Sequence, residues 1–133
     1  MDVDQKIRIL VVDDNAMFRQ VLIDFLGSQG DMEVIGEACD GEEAVRKVIE
    51  LRPEVVTMDV RMPVMNGLTA LRAFKALPSS PKVIILTGFD TIEYREAARV
   101  AGASDFVGKA AIAKDLVPAI KEKSKNGEPY GDD

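Results

Sequence analysis

Three acids, a threonine and a lysine stand where apolar runs of this sequence end. Asp13 and Asp14 close "KIRILVV", Asp59 closes "EVVTM", Thr87 and Gly88 end "KVIILTG", and Lys109 follows "SDFVG". Carboxylates gathered at one edge repel one another, and without compensation at least one would resist ionisation. A hard divalent cation such as Mg²⁺ resolves this, because it takes oxygen ligands while keeping waters of its own. Asp13, Asp14 and Asp59 with one Mg²⁺ and Lys109 are then roughly neutral together, which makes the arrival of a phosphoryl group tolerable. In that setting Asp59 reads as a nucleophile, since a carboxylate can attack phosphorus to give an acyl phosphate. Mg²⁺ and Lys109 would stabilise the transferring group, Thr87 would donate a hydrogen bond to it, and Gly88 would keep the approach open.

Each residue alone has a plainer reading. Asp13-Asp14 before a helix can cap it and complement its dipole. Asp59 alone could be a turn acid, Thr87 a strand-end residue and Lys109 a solvated surface lysine. Met58, Met62 and Met65 read as packing. The argument rests on joint placement at successive strand ends.

The elements that must position these groups are short. Apolar runs at 6–12, 32–38, 54–58, 82–87 and 104–108 predict strands β1 to β5. Between them, amphipathic patterns predict helices α1 to α5 at about 16–26, 42–51, 66–77, 91–101 and 112–123. The expected apolar faces carry Phe18, Val21, Leu22, Phe25 and Leu26 in α1; Ala44, Val45, Val48 and Ile49 in α2; and Leu68, Leu71, Phe74 and Leu77 in α3. The α4 face is weaker, with Ile92, Ala97, Ala98 and Ala101 among charges, and α5 carries Ile112, Leu116 and Ile120. Gly, Pro and Asp-Gly pairs fall at the boundaries. Five strand–helix pairs imply a parallel sheet covered on both faces, a three-layer doubly wound α/β fold whose ligands sit beyond the strands' C-terminal ends. Pro63 and Gly67 would shape the loop behind Asp59, with Asn66-Gly67 turning into α3. Pro118 conflicts with the α5 pattern, because it removes a hydrogen bond and crowds the preceding turn. Either that helix starts near Asp115 or it is kinked.

The chain has 133 residues, 47% hydrophobic and 30% charged, which suits one domain over 1–123 followed by a polar tail or linker at 124–133. Its opening residues do not read as a signal peptide, and no apolar stretch approaches a membrane span. The net charge of −6 repels nucleic-acid phosphates, so direct nucleic-acid binding is not expected. With no histidine, serine–histidine triads and most zinc sites are excluded. Cys39, the only cysteine, forbids an internal disulfide and is expected as a small buried thiol in a reducing cytoplasm.

The motifs "ILVVDDN", "MDVRMPVMNG", "ILTG" and "GASDFVGK" resemble, in order and spacing, those of response regulator receiver domains of two-component phosphorelays. The likeness runs across residues 6–123. It implies a flavodoxin-like (βα)5 sheet in the order 2-1-3-4-5, and a phosphoacceptor that takes part in its own phosphorylation without being a turnover enzyme. It implies Asp59 as phosphoacceptor, and Mg²⁺ held by Asp14 and Asp59, by Asp13 through water, and by the Arg61 backbone carbonyl. Thr87 and Lys109 would contact the phosphoryl group, and Phe106 would change rotamer with Thr87 on activation, altering the α4–β5–α5 surface. The donor would be a sensor histidine kinase or phosphotransfer protein, which suits a chain without histidine. An output domain, an effector protein or a phosphorylation-dependent dimer would read the signal.

Ala110 stands where the family commonly has a proline in a cis bond after the lysine, so no such isomer is expected here. "VIGEACDGEEAV" resembles receivers joined to helix-turn-helix domains, and "VVTMDVRMPVMNG" resembles receivers preceding a methylesterase. The alternatives are a receiver used only as an interaction module, a phosphohydrolase with an aspartate nucleophile, or a flavin carrier. Arg61 stands where the hydrolase would have a second acid, and "DDNAMF" would repel a flavin phosphate.

Overall fold

A computed structural model describes residues 5–62, 65–88 and 91–124. The elements alternate throughout: β1 (Ile7–Val12), α1 (Ala16–Gly27), β2 (Met32–Ala38), α2 (Gly41–Leu51), β3 (Val55–Met58), α3 (Gly67–Lys75), β4 (Lys82–Thr87), α4 (Ile92–Ala101), β5 (Asp105–Gly108) and α5 (Ile112–Ser124). All strand pairs are parallel and the sheet order is β2-β1-β3-β4-β5, as expected from the resemblance.

The central strands are apolar on both faces because helices cover both. Leu10, Val12, Val56, Met58, Val83 and Ile85 point into a core with α2, α3 and α4. Their neighbours Ile9, Val11, Val55, Ile84 and Leu86 point the other way, into a core with α1 and α5. The two-residue alternation of strand side chains makes one chain serve both cores.

Four helices start under side-chain caps. Asn15, Asp40, Asn66 and Thr91 accept hydrogen bonds from the backbone N–H groups of Phe18, Glu43, Thr69 and Tyr94 at 2.9, 2.8, 3.0 and 3.2 Å. These caps satisfy donors that a first helical turn leaves unpaired. They also free Asp13 and Asp14, since α1 is capped by Asn15 and not by either acid.

Several expectations are corrected. Val21, Ile49 and Ile92 are 64%, 56% and 81% exposed. Val21 and Ile49 lie at the margins of their stripes, beyond the arc that a helix lays on a sheet, whereas Ile92 lies half a turn round from the buried Ala101, on the outer side of α4. Cys39 is exposed, because the chain leaves edge strand β2 there, and its thiol approaches Asp40 rather than the core. Its interaction with the Glu43 carboxylate, together with burial, pushes that thiol up, away from a reactive thiolate. α5 runs through Pro118 from Ile112 and does not wait for Asp115. Pro63 and the tail from 125 lie outside the described residues.

Candidate functional site

The ends of β1 and β3 are adjacent because these strands pair, with Val12 opposite Met58. Each runs one step further into an acid, so Asp13 and Asp59 emerge side by side. Both are nearly closed off, 1% and 8% exposed, while Asp14 faces solvent. One carboxylate oxygen from each of Asp13, Asp14 and Asp59 lies within 4.8 Å of the others.

Hydrogen bonds orient two of them. Asp13 Oδ1 accepts from the Asn15 N–H at 2.9 Å, and Asp59 Oδ1 accepts from the Arg61 N–H at 3.1 Å. Arg19 Nη1 donates to the Asp13 carbonyl at 2.7 Å, tying α1 to the end of β1. Lys109 Nζ reaches back from the end of β5 to Asp59 Oδ2 at 2.9 Å and Asp13 Oδ2 at 3.0 Å. Burial alone would push this ammonium down, but hydrogen bonds and attraction from Asp59 and Asp13 outweigh it and hold it above the usual lysine value.

The loop behind Asp59 is clamped by backbone approach. The Gly67 N–H donates to the Val60 carbonyl at 2.8 Å, and a Cβ on Gly67 would sit 2.3 Å from the Asp59 carbonyl oxygen. At Gly41 the N–H donates to the Met65 carbonyl at 3.1 Å, where a Cβ would come within 2.2 Å. Only residues without side chains allow these contacts, which fix where β3 releases Asp59.

Asp13, Asp14, Asp59 and Lys109 are thus brought together. Thr87 is buried at the end of β4, opposite Gly108, and Phe106 lies half-buried on β5 opposite Ile85. Arg61 carries an exposed side chain and meets the cluster through its peptide. Lys109–Ala111 form a single 3₁₀ turn before α5, and no cis peptide occurs among the described residues.

One participant was hidden in the sequence. The Phe18 ring supports Lys109, whose ammonium stands 4.1 Å from the ring centroid. An ammonium over an aromatic face is attracted by the ring quadrupole. As a core position of α1, Phe18 carried no sign of this second contact. Gly41 was likewise legible as a boundary but not as part of the clamp.

Three clustered acids, two of them bridged by one ammonium, retain an excess of negative charge and can hold a hard cation with oxygen ligands. The fold and this cluster together define a class. The family profile described as response regulator receiver domain matches residues 9–121, and the chain belongs to that family. It is 50% identical over 113 residues to a protein-glutamate methylesterase/protein-glutamine glutaminase of Caldanaerobacter subterraneus subsp. tengcongensis, covering 79% of this chain and 29% of that protein. It is 42% identical over 123 residues to the transcriptional regulatory protein LiaR of Bacillus subtilis, covering 92% of this chain and 58% of LiaR. The solved response regulator domain of Thermotoga maritima CheB superposes with a TM-score of 0.83 at 39% identity, covering 94% of this chain and all of that domain. The chain therefore spans about a third of the methylesterases and just over half of LiaR. Among the described residues, no helix is long and apolar enough to cross a membrane.

Proposed function

We propose that Asp59 is the phosphoacceptor of this receiver, charged by a phosphohistidine on a sensor kinase or phosphotransfer protein in the presence of Mg²⁺. The observation that carries this is the convergence of Asp13, Asp14 and Asp59 within 4.8 Å, with Lys109 Nζ 2.9 Å from Asp59. Asp59 attacks phosphorus through a carboxylate oxygen as the donor's N–P bond breaks, giving an acyl phosphate, while the donor's imidazole takes up one proton and leaves neutral.

Mg²⁺ bound at this cluster would neutralise charge on the transferring oxygens. Asp14 and Asp59 would hold it through side chains, Asp13 through water and Arg61 through its backbone carbonyl. Lys109, released from the free carboxylates, would pair with a phosphoryl oxygen, and the Thr87 hydroxyl would donate to another. Thr87 moving toward the phosphoryl group leaves space for Phe106 to turn inward, which alters the α4–β5–α5 surface. α4 suits such a shift, because only Ala98 and Ala101 of its residues are fully buried. An output domain or effector would then be engaged or released. A coupling of about 1–3 kcal/mol changes partner affinity roughly 5–150-fold.

The test is incubation with Mg²⁺ and acetyl phosphate, with acid-labile labelling of Asp59 read by mass spectrometry. Labelling is expected in the parent and absent in Asp59→Asn; equal labelling of the two would show another nucleophile.

A further inference from the structure

At the end of the sheet away from the acids, where β3 and β4 begin and α5 finishes, the chain forms a recess of about 240 Å³. Arg52, Lys82 and Lys123 line it against one carboxylate, Glu54, in a protein whose net charge is −6. Glu54 is already engaged, because its Oε1 accepts the Arg8 N–H at 3.1 Å. Among the described residues, no carboxylate pairs with Arg52 or Lys82. Burial and then repulsion from Lys82 push the Lys75 ammonium down, as expected beside a charge that no anion neutralises.

Arg52 is held there against its own backbone preference. It ends α2 at φ 51°, the one non-glycine residue with positive φ among those described. That conformation crowds the Cβ of an L-residue, and glycine or asparagine ordinarily takes such a helix end. The backbone is pinned on both sides. The Arg52 N–H donates to the Val48 carbonyl at 3.0 Å, and the Arg52 carbonyl accepts from Arg8 Nη1 at 2.6 Å. Arg8 Nη2 donates to the Leu51 carbonyl at 2.6 Å, and the buried Pro53 follows directly. A strained residue kept where glycine would fit with less strain points to a use for its side chain. The recess also includes Ser79 and Ser80, framed in sequence by Pro78 and Pro81. Among the described residues, the Ser79 hydroxyl and N–H have no hydrogen-bond partner.

We propose that this recess binds a small phosphate monoester. Arg52 supplies a guanidinium fork, Lys82 an ammonium, and Ser79 a hydroxyl and an N–H, a set of donors that suits an anion with three terminal oxygens. Lys123 adds a further charge. Three cations less one carboxylate leave two positive charges, which a monoester dianion neutralises. Pro53 and Pro81 offer an apolar wall to a small organic substituent. The volume falls below the roughly 300–1,000 Å³ of sites for drug-sized ligands, so the substituent must be small. No aromatic side chain lines the recess, so a nucleobase would have nothing to stack on. The net charge of −6 argues against a nucleic-acid strand. This site stands apart from Asp59 chemistry and does not rest on the receiver reading.

The test is an NMR titration of the ¹⁵N-labelled chain with methyl phosphate, without Mg²⁺ and at constant ionic strength. Saturable shifts are expected at the amides of Arg52, Glu54, Ser79, Ser80 and Lys82, with affinity falling at least tenfold in Lys82→Gln and in Arg52→Gly. The second variant separates binding from folding, because glycine accepts the positive φ. Its thermal midpoint without ligand should equal or exceed the parent's while its affinity falls. A lower midpoint would show that the arginine serves the fold, and would overturn the proposal. So would unchanged affinity in the two variants, no saturation, shifts centred on Asp13, Asp59 and Lys109, or an equal response to succinate. Asp59→Asn should bind methyl phosphate as the parent does. Loss of binding in that variant would put the anion at the acidic end and overturn the site, whereas a parent that binds methyl phosphate but takes no label from acetyl phosphate overturns only the phosphoacceptor reading.

Discussion

Where β1 and β3 finish, three carboxylates cluster and two of them share one ammonium; where β4 and β5 begin, four basic side chains and one carboxylate line a cleft. Both ends carry an excess of one sign, yet they are built differently. Asp13 and Asp59 are held by backbone donors, the loop behind Asp59 by glycine clamps, and these two acids are nearly dry. The cations stand on flexible stems at the rim of an open cleft. A group that must meet a small ion or a reacting phosphorus needs fixed geometry, since an ångström of misplacement weakens every interaction with the transition state. A surface that only binds an anion tolerates motion, because long side chains adjust to what arrives. The two ends thus differ as a reaction site differs from a binding site.

The largest effect should come from breaking the rigid end. Gly67→Ala would drive a methyl into the Asp59 carbonyl and the Val60 backbone, neither of which can move aside without shifting Asp59. Overpacking of this kind costs about 3 kcal/mol. Urea unfolding should report that loss, and acetyl phosphate labelling should fall with it; a parent-like midpoint would show that the loop is loose. Next comes Lys109→Met, which keeps the stem and removes the charge. Losing one preorganised donor typically slows a reaction by about 100-fold. Labelling of Asp59 should slow by that order while the fold survives, because two acids repelled by one another can recover a cation from solution.

Phe18→Leu sharpens the comparison at lower cost. The core face is kept but the ring beneath the ammonium is lost, an interaction of about 0.5–1 kcal/mol at partly exposed sites. Labelling should slow roughly threefold and recover in Phe18→Tyr; equal rates in all three proteins would reduce the contact to packing.

The smallest effect belongs to the loose end. Lys75 releases its proton more readily folded than unfolded, so the unfolded chain binds more protons between the two values. Stability should therefore rise with pH as the folded-state value is passed, levelling off above the ordinary lysine value of 10.5. Lys75→Gln should flatten that rise and gain only about 0.3 kcal/mol at neutral pH, after allowance for solvent screening of a side chain half in water. A loss of stability on this substitution would show that the lysine serves α4.

How much was legible follows the range of the interactions. The alternation of apolar runs with amphipathic segments gave every strand and helix, because those patterns reflect contacts within a few residues. Asp13, Asp14, Asp59 and Lys109 were legible for a related reason: the ends of parallel strands converge once the strands are known. The exposure of Val21 and Ile49 was not, since periodicity marks a face but not how wide an arc the sheet will cover, and the weak α4 pattern left Ile92 grouped with alanines that lie across the helix from it. Cys39 misled for a similar reason, as its burial depended on where an edge strand departs. Pro118 misled in the opposite direction, because tertiary packing of Leu116, Ala119 and Ile120 holds α5 through a residue that local propensity would exclude.

By itself, then, the sequence determined which residues are apolar, which carry charge and where the chain must turn, and these set the layers and the edge at which acids emerge. Only the tertiary structure decided that Lys109 spans Asp13 and Asp59, that Phe18 lies beneath it, and that Lys75 and Lys82 meet in one cleft. Those pairings join residues far apart in the chain. Their free energy depends on distance and burial, which no local pattern encodes until the sheet has brought the strands together.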